Sequence, residues 1–545
     1  MSIARSSLFF SAGTFLSRIS GLIRDSVVSA VFGASVFLDA YNVANRIPNL
    51  LRELLAEGAL GASFTKVYSQ LSVTDEERAK KLLIDTIRLV TIISIAIVSL
   101  GIIFAKPLVF LTTSSKRPED LELLRITATG LTQVIFPFIG FISLGAIFQS
   151  VLYQRNRFFL VAVSPILFNL SNILGALYFG KGIQHLLPPE WQSHFGNASI
   201  MGLAVGTTLG GMIQAGSQLA AIWSPALSEL KFWPRKFPWS IDTKKVALLM
   251  APMVIAASAG QINFVVNINF STSLQTGATT WLSNGFRMLQ FPIGMFGVAI
   301  GAAVLPALSK TLAKTQGEFN TEANAQLKGA IELVLWLMVP CSLVLYFSSI
   351  DISRLLFQAG KYSANDAFQT GLTLRSYSLG LIGYGIGKVL NSYYYAIGRT
   401  KWPMIIGLIS IGVNYGLNSY FIDIYQHQGI AMTASILTSF SAVLMLLGTR
   451  RDGFRFESKF VSSGILPLLL ATAICVSGRI LYEPLLSTFE VSANFALPHT
   501  LSVKIDSAAR LVIDLLFISA IFISIGLLKL KKSPKEALAM LRRRP

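Results

Sequence analysis

The sequence predicts an all-α, polytopic membrane protein with about fourteen transmembrane helices. Three observations predict it. Of 545 residues, 53% are hydrophobic and only 13% charged, with mean hydropathy +0.60, whereas soluble domains carry about 25% charged residues. The apolar residues fall in blocks of about 20 or more, the length that crosses roughly 30 Å of hydrocarbon at 1.5 Å per residue. Lysine and arginine concentrate in alternate connecting segments, as cytoplasmic loops require.

Taken in order, the apolar blocks place spans at 5–32, 37–65, 84–112, 123–153, 158–180, 198–224, 243–271 and 277–308. Six more follow at 327–350, 364–397, 402–424, 428–449, 460–482 and 507–530. The N-terminal block does not read as a cleavable signal, because Arg18 and Arg24 interrupt it and no small-residue cleavage site follows. With the N-terminus inside, the cytoplasmic segments hold Lys66, Arg78 through Lys81, Arg155, Arg157 and Lys231 through Lys245. They also hold Lys310, Lys314, Arg399, Lys401, Arg450 through Lys459 and the tail LLKLKKSPKEALAMLRRRP. The opposite loops hold Lys116, Arg117, Lys181, Arg354, Lys361 and Lys504. The bias puts both termini in the cytoplasm and accounts for much of the +19 formal charge without a nucleic-acid partner. Cys341 and Cys475 sit far apart inside apolar blocks and read as buried small hydrophobes.

A weak internal repeat organises the chain. Leu121 to Gly180 and Leu372 to about Ile422 each carry a glycine-containing helix that ends in a tyrosine and a basic turn, SVLYQRNRF in one and NSYYYAIGRTKWP in the other. Each then enters an asparagine-bearing helix, PILFNLSNILGALY or GLISIGVNYGLNSYF. The recurrence at about 240–250 residues is half of a twelve-helix unit. It predicts two six-helix lobes around a central cavity, 1–225 and 226–450, with two further helices and a basic tail in 451–545. Parallel repeats of this kind suit alternating access.

Charges inside spans cost about 2.5–3.5 kcal/mol each at a helix centre and usually face a cavity or a partner. The first span holds Arg18, Arg24 and Asp25; the second holds Asp39, Arg46, Arg52, Glu53 and Glu57. Asp39, Arg46 and Glu53 are seven apart and share a helical face, and Pro48 removes a backbone donor between them. Glycines at 13 and 21 permit close approach of a neighbouring helix or a head group. Arg287 stands alone in the eighth span, NGFRMLQFPIGMFG, and Lys388 lies in the tenth, where it serves either the cavity or a snorkelling role. Mutual pairing of these charges is the competing reading. The arginines outnumber nearby carboxylates, and guanidinium forks onto phosphate oxygens, so several in one cavity suit a diphosphate.

The stretches GLIRDSVVSAVFGAS…FLDAYNVANRIPNLLRELLAEGALGASF and NGFRMLQFPIGMFGVAIGAAVLPALSK resemble the opening and the eighth helix of the MurJ (MviN) family of bacterial lipid II flippases. The similarity runs over essentially the whole chain. That family belongs to a superfamily of multidrug and oligosaccharide-lipid exporters. The resemblance implies a protein of the bacterial inner membrane, working as a monomer among membrane lipids. Its substrate would be lipid II, flipped from the inner to the outer leaflet for peptidoglycan synthesis. The cavity arginines match at Arg18, Arg24, Arg52 and Arg287, the basic position of the second helix at Arg46, and the acidic positions at Asp25, Asp39 and Glu57. The last two helices would add a lipid-binding groove. No cofactor is implied beyond sodium, which some relatives bind. The matching positions here, Asn267, Asn414 and Asn418, include no carboxylate, although hard cations prefer carboxylate oxygens. Interhelical hydrogen bonding is the alternative role for these asparagines.

Three other functions compete. A multidrug or cation exporter would favour carboxylates and aromatics over arginines. A flippase for another diphosphate-linked lipid shares the same chemistry. A membrane enzyme acting on polyprenyl diphosphate would need an acidic metal motif or a histidine set. The four histidines, His185, His194, His427 and His499, fall in predicted external loops without ligand spacing and read as plain loop residues.

Overall fold

The computed structural model describes residues 3–54, 60–114, 120–179, 199–223, 239–314, 320–399, 401–454, 461–487 and 498–530. The described residues contain helices and no strand beyond one isolated bridge between Ala359 and Tyr362. The helices are α1 (Ile3–Phe32), α2 (Val36–Leu51), α3 (Gly61–Thr74), α4 (Glu76–Ile103), α5 (Ala105–Thr112), α6 (Leu121–Ile135), α7 (Phe138–Gln154) and α8 (Phe158–Leu174). They continue as α9 (Ser199–Ile222), α10 (Ile241–Ser271), α11 (Ala278–Pro292), α12 (Val298–Lys314), α13 (Thr321–Phe347), α14 (Ser349–Phe357), α15 (Ala364–Ser378) and α16 (Leu381–Ala396). The last are α17 (Lys401–Thr449), α18 (Leu466–Ser487) and α19 (His499–Leu530). Among the described residues, eight helical stretches are long and apolar enough to cross a bilayer. Charged α1 and short α2 are outside that set.

Several expected spans are built from two helices. The span read at 123–153 divides into α6 and α7 at Phe136–Pro137, where the missing proline N–H interrupts the hydrogen-bond ladder. The span at 84–112 divides at Phe104, and that at 364–397 at Leu379–Gly380. The second expected span runs as α2 through Pro48 and loosens into π-helical turns at Arg52–Leu54. Spans 402–424 and 428–449 meet without a break in the helix assignment, but Gln426 between them has φ 51°, a sharp kink at the expected loop.

The internal repeat is regular in the fold. Helices α6, α7 and α8 begin at residues 121, 138 and 158, and α15, α16 and α17 begin at 364, 381 and 401, each 243 residues later. The two copies also close their middle helix alike. Arg157 N donates to Leu152 O at 2.9 Å and Arg399 N to Tyr394 O at 3.0 Å, the wide bond of a left-handed helix stop. Asn156 (φ 55°) occupies the left-handed position in one copy and Gly398 (φ 73°) in the other.

The chain divides into two compact units, Met1–Thr280 with Ala359–Tyr362, and Trp281–Gln358 with Ser363–Pro545. In the first, α1 packs on α8, α8 on α9, α9 on α7 and α2 on α6. Two buried apolar clusters fill it, one around Leu131, Ile135 and Leu203 and one around Phe64, Ile147 and Val151. The crossing of α8 and α9 depends on small residues. Gly202, Gly206 and Gly210 recur every fourth residue on α9, and a Cβ at Gly206 would lie 2.7 Å from Ser171 O and 3.1 Å from Gly175 Cα. In lipid, where apolar surface gains nothing by leaving one hydrocarbon for another, such close backbone approach is the main source of helix affinity. In the second unit α15, α16 and α17 pack together with α12 and α13, while α18 and α19 cover α13 around Val339, Cys475 and Ile518.

Gly206→Leu should therefore separate α8 from α9 and cost about 1–3 kcal/mol. The expected result is a lowered thermal-unfolding midpoint of the purified protein, and an unchanged midpoint would show that the glycine contact is dispensable.

Candidate functional site

The charged residues of α1 and α2 all lie in the first unit. Arg24 and Arg46 are each held by a neighbouring helix. Gly13 lets α8 approach α1, since a Cβ there would lie 2.8 Å from Ala162 Cβ. That approach brings Asn169 of α8 against the next turns of α1. Its Nδ2 donates to Ser20 Oγ at 2.8 Å, and its Oδ1 accepts from Arg24 Nη1 at 3.0 Å. Pairing among the charges does occur at Arg24. Its Nε donates to Asp25 Oδ1 at 2.9 Å, with Nη2 at 2.8 Å from the same oxygen. The guanidinium also lies 5.8 Å from the centre of the Phe168 ring. Arg18, on the same helix, is half-buried.

Arg46 on α2 and Arg52, the residue that caps its C-terminus, are likewise half-buried. Arg46 Nη2 donates to Gln261 Oε1 of α10 at 3.0 Å, and its guanidinium stands 4.2 Å from the Phe264 ring centre. The other end of the same carboxamide, Gln261 Nε2, donates to Glu53 Oε2 at 2.6 Å. The shared face of Arg46 and Glu53 on α2 thus becomes an arginine–glutamine–glutamate chain. Arg52 Nε donates to Asn49 Oδ1 one turn away at 3.1 Å.

A pattern emerges from these contacts. Arg24, Arg46 and Arg52 each lean on a carboxamide oxygen, from Asn169, Gln261 and Asn49 respectively. A carboxamide fixes the direction of a guanidinium and adds no negative charge of its own. Asp25 is the one carboxylate among the described residues seen on these three arginines at bonding distance. Sequence reasoning missed Asn169 as a partner of Arg24 and Gln261 as a partner of Arg46. The asparagine-bearing helix was noted, but nothing in its spacing identifies the arginine it faces.

Asp39 does different work. It is 1% exposed, and its carboxylate receives three hydrogen bonds from the turn that opens α11. Gly277 N donates at 2.7 Å, Thr280 N at 2.8 Å and Thr280 Oγ1 at 2.7 Å. Gly277 has φ 93°, a conformation that favours glycine, and this aims its N–H at the carboxylate. An anion at a helix N-terminus satisfies orphan donors and meets the positive end of the helix dipole, which offsets the cost of burying the charge. Asn42 Nδ2 adds a bond to Thr280 Oγ1 at 3.2 Å. Glu57 lies outside the described residues.

Arg287 and Lys388 belong to the second unit. Arg287 is half-buried on α11, and Lys388 is exposed on α16, its backbone packed beside Gly301. Of the asparagines, Asn414 and Asn418 lie one turn apart on α17, fully buried, with Asn418 Nδ2 donating to Asn414 Oδ1 at 3.1 Å. Asn267 lies on α10 in the first unit. Three carboxamides, two of them bonded to one another, are a weak donor set for sodium. Among the described residues no cluster of three His, Cys, Asp or Glu side chains could hold a metal.

Among the four histidines, His427 departs from the plain-loop reading. It follows the kink at Gln426 but is only 3% exposed, edge-on to Trp281 with ring centres 5.0 Å apart. The apolar faces of the two rings draw it in from the loop. His185 and His194 lie outside the described residues. Outside the spans, Arg78 grips Asp242 with two bonds of 2.7 and 2.9 Å, and this partnership holds the guanidinium above its ordinary pKa.

Comparison with known proteins matches residues 28–500 to the family model for lipid II flippase MurJ. A probable lipid II flippase MurJ of Buchnera aphidicola is 30% identical over 483 residues, 87% of this chain and 89% of the relative. The lipid II flippase MurJ of Burkholderia cenocepacia is 30% identical over 455 residues, 83% of this chain and 85% of that one. Among solved structures, a lipid II flippase MurJ in an inward closed conformation aligns over 94% of this chain and 98% of its own, with TM-score 0.71 and 25% identity. An inward-facing MATE-family multidrug transporter of the MOP superfamily aligns over 82% of this chain and 98% of its own, with TM-score 0.64 and 14% identity, a likeness of fold alone.

Asp39→Asn tests the carboxylate's role in the turn. The substitution places an N–H₂ group against a backbone donor, at a cost of about 1–3 kcal/mol. A lower unfolding midpoint of the purified protein is expected; an unchanged one would mean that the charge does not hold this turn.

Proposed function

The chain belongs to the lipid II flippase MurJ family, and from that membership we propose that the arginines of α1 and α2 bind the diphosphate of lipid II while the lipid crosses from the inner to the outer leaflet. The protein is an inner-membrane transporter and not an enzyme; lipid II is its substrate. The observation that carries the arginine assignment is the carboxamide support of Arg24, Arg46 and Arg52.

The physical problem is a polar one. The head group of lipid II, a sugar-pentapeptide on a diphosphate, cannot enter hydrocarbon, whereas its polyprenyl tail need not leave it. Guanidinium groups at half-buried positions replace the water that the diphosphate loses, two N–H donors to each pair of phosphate oxygens. Arg18 belongs to the proposed cationic set of the first unit; in the second unit, Arg287 and exposed Lys388 are assigned to substrate binding on their own account. The site then opens to one side of the membrane and to the other in alternation. Asp39 releases and recaptures the start of α11 as a gate contact, Glu57 serves as the second acidic gate residue, and Asp25 tempers Arg24. Both termini stay in the cytoplasm, one chain completes the cycle, and surrounding lipids accommodate the tail. We assign Asn414 and Asn418 to hydrogen bonding within the fold and route no step through sodium.

The test uses cells depleted of their own flippase and measures externally accessible lipid II. Arg24→Ala, Arg52→Ala and Arg287→Ala should each lower it at least tenfold at normal membrane levels of the protein. Asn169→Asp keeps the shape but adds a second carboxylate beside Asp25 on Arg24, and should lower it as well. Full recovery by all of these variants would contradict the diphosphate reading.

A further inference from the structure

The two C-terminal spans carry buried charge that the transport site does not use. Arg479 of α18 is 4% exposed and Asp514 of α19 is 0% exposed. Arg479 Nε lies 2.9 Å from Asp514 Oδ1. Tyr482 of α18 donates its hydroxyl to the same oxygen at 2.7 Å. Ser348, the residue at the corner between α13 and α14, donates its hydroxyl to Asp514 Oδ2 at 2.6 Å. One carboxylate is therefore held from α18 and from the α13–α14 corner at once. The guanidinium also pairs with Glu483 and sits over the rings of Phe347 (5.5 Å) and Tyr482 (5.2 Å).

Much of the remaining interface is alkyl, although Gly478 of α18 fits closely against the Phe517 ring of α19 and Asp351 of α14 bonds to Ser507 of α19. α18, α19 and α13 meet through Val339, Leu468, Ala471, Cys475, Ile518 and Phe522, with Trp336 edge-on to Phe522 at 6.0 Å. Alkyl surface of this kind packs nearly as well one turn along, and lipid tails compete with it on equal terms. A charge pair does not slide. A shift of one turn, about 5.4 Å, would part Asp514 from its guanidinium in hydrocarbon and leave Arg479 only Glu483 of its own helix. Single buried polar contacts are known to fix register at some expense of stability.

We propose that Arg479 and Asp514 are positioning residues that lock α18 and α19 in one register against the α13–α14 corner, so that the helix pair travels with that corner through the transport cycle. The transport arm of the test rests on the flippase reading above; the cross-linking arm does not.

Cysteines replace Trp336 and Phe522 in a chain carrying Cys341→Ala and Cys475→Ala, and a short bis-thiol reagent reports their proximity. A parallel chain pairs Trp336→Cys with Ile518→Cys, one turn away. In Arg479→Met/Asp514→Leu, the 336–522 yield should fall at least twofold, the 336–518 yield should rise, and externally accessible lipid II should fall at least tenfold. An unchanged cross-link pattern in that variant overturns the proposal, whatever happens to transport. If the variant does not reach the membrane, Arg479→Lys decides: it keeps the ion pair and should retain both cross-linking and transport. Loss of the 336–522 link in Arg479→Lys, or loss of transport with the link intact, overturns the register assignment.

Discussion

A guanidinium group inside an apolar slab must be solvated by the protein, and most of the first unit can be understood as meeting that need. Arg24, Arg46 and Arg52 never lose their charge at neutral pH. Each therefore requires an acceptor on a fixed scaffold. The acceptors come from α8, α10 and the preceding turn of α2. For α8 to supply one, it must run close to α1, which Gly13 permits. For α8 to stay there, α9 must back it, which the glycine row at 202, 206 and 210 permits. The small residues and the arginines are thus parts of one arrangement, the first giving the backbone approach that the second need.

The choice of acceptor matters as much as its presence. Carboxylates would bind the arginines more tightly and leave a neutral, inert core. Carboxamides orient Arg46 and Arg52, and at Arg24 a carboxamide stands beside the Asp25 carboxylate. The C-terminal helices carry more carboxylate at their arginine. There Arg479 meets two carboxylates, Asp514 and Glu483, and the fully compensated group serves the fold.

Much of this was legible in the sequence. Composition and block length fix the membrane class, because no soluble core could absorb that much apolar chain. The weak repeat between the SVLYQRNRF and NSYYYAIGRTKWP regions corresponds to two three-helix copies begun 243 residues apart. The arginines of the first two spans were visible because charge is conspicuous in apolar sequence. Their partners were not. Asn169 and Gln261 are neutral, and their importance arises from a helix crossing that no local pattern encodes. The partners of Asp39 were hidden for a similar reason, since two of the three donors are backbone N–H groups, at Gly277 and Thr280, and every sequence has such groups. Arg479 and Asp514 were overlooked because the surrounding leucines and isoleucines made those spans read as plain. His427 was misjudged because a loop position says nothing about which aromatic ring will cover it.

The claim on which the account rests is that the site recognises a diphosphate through arginine. It is tested most directly by the affinity of the purified protein for lipid II against a synthetic lipid with the same head group and tail joined by a monophosphate. The account predicts binding at least tenfold weaker for the monophosphate, a difference that shrinks in Arg24→Ala. Equal affinity for the two lipids would contradict it.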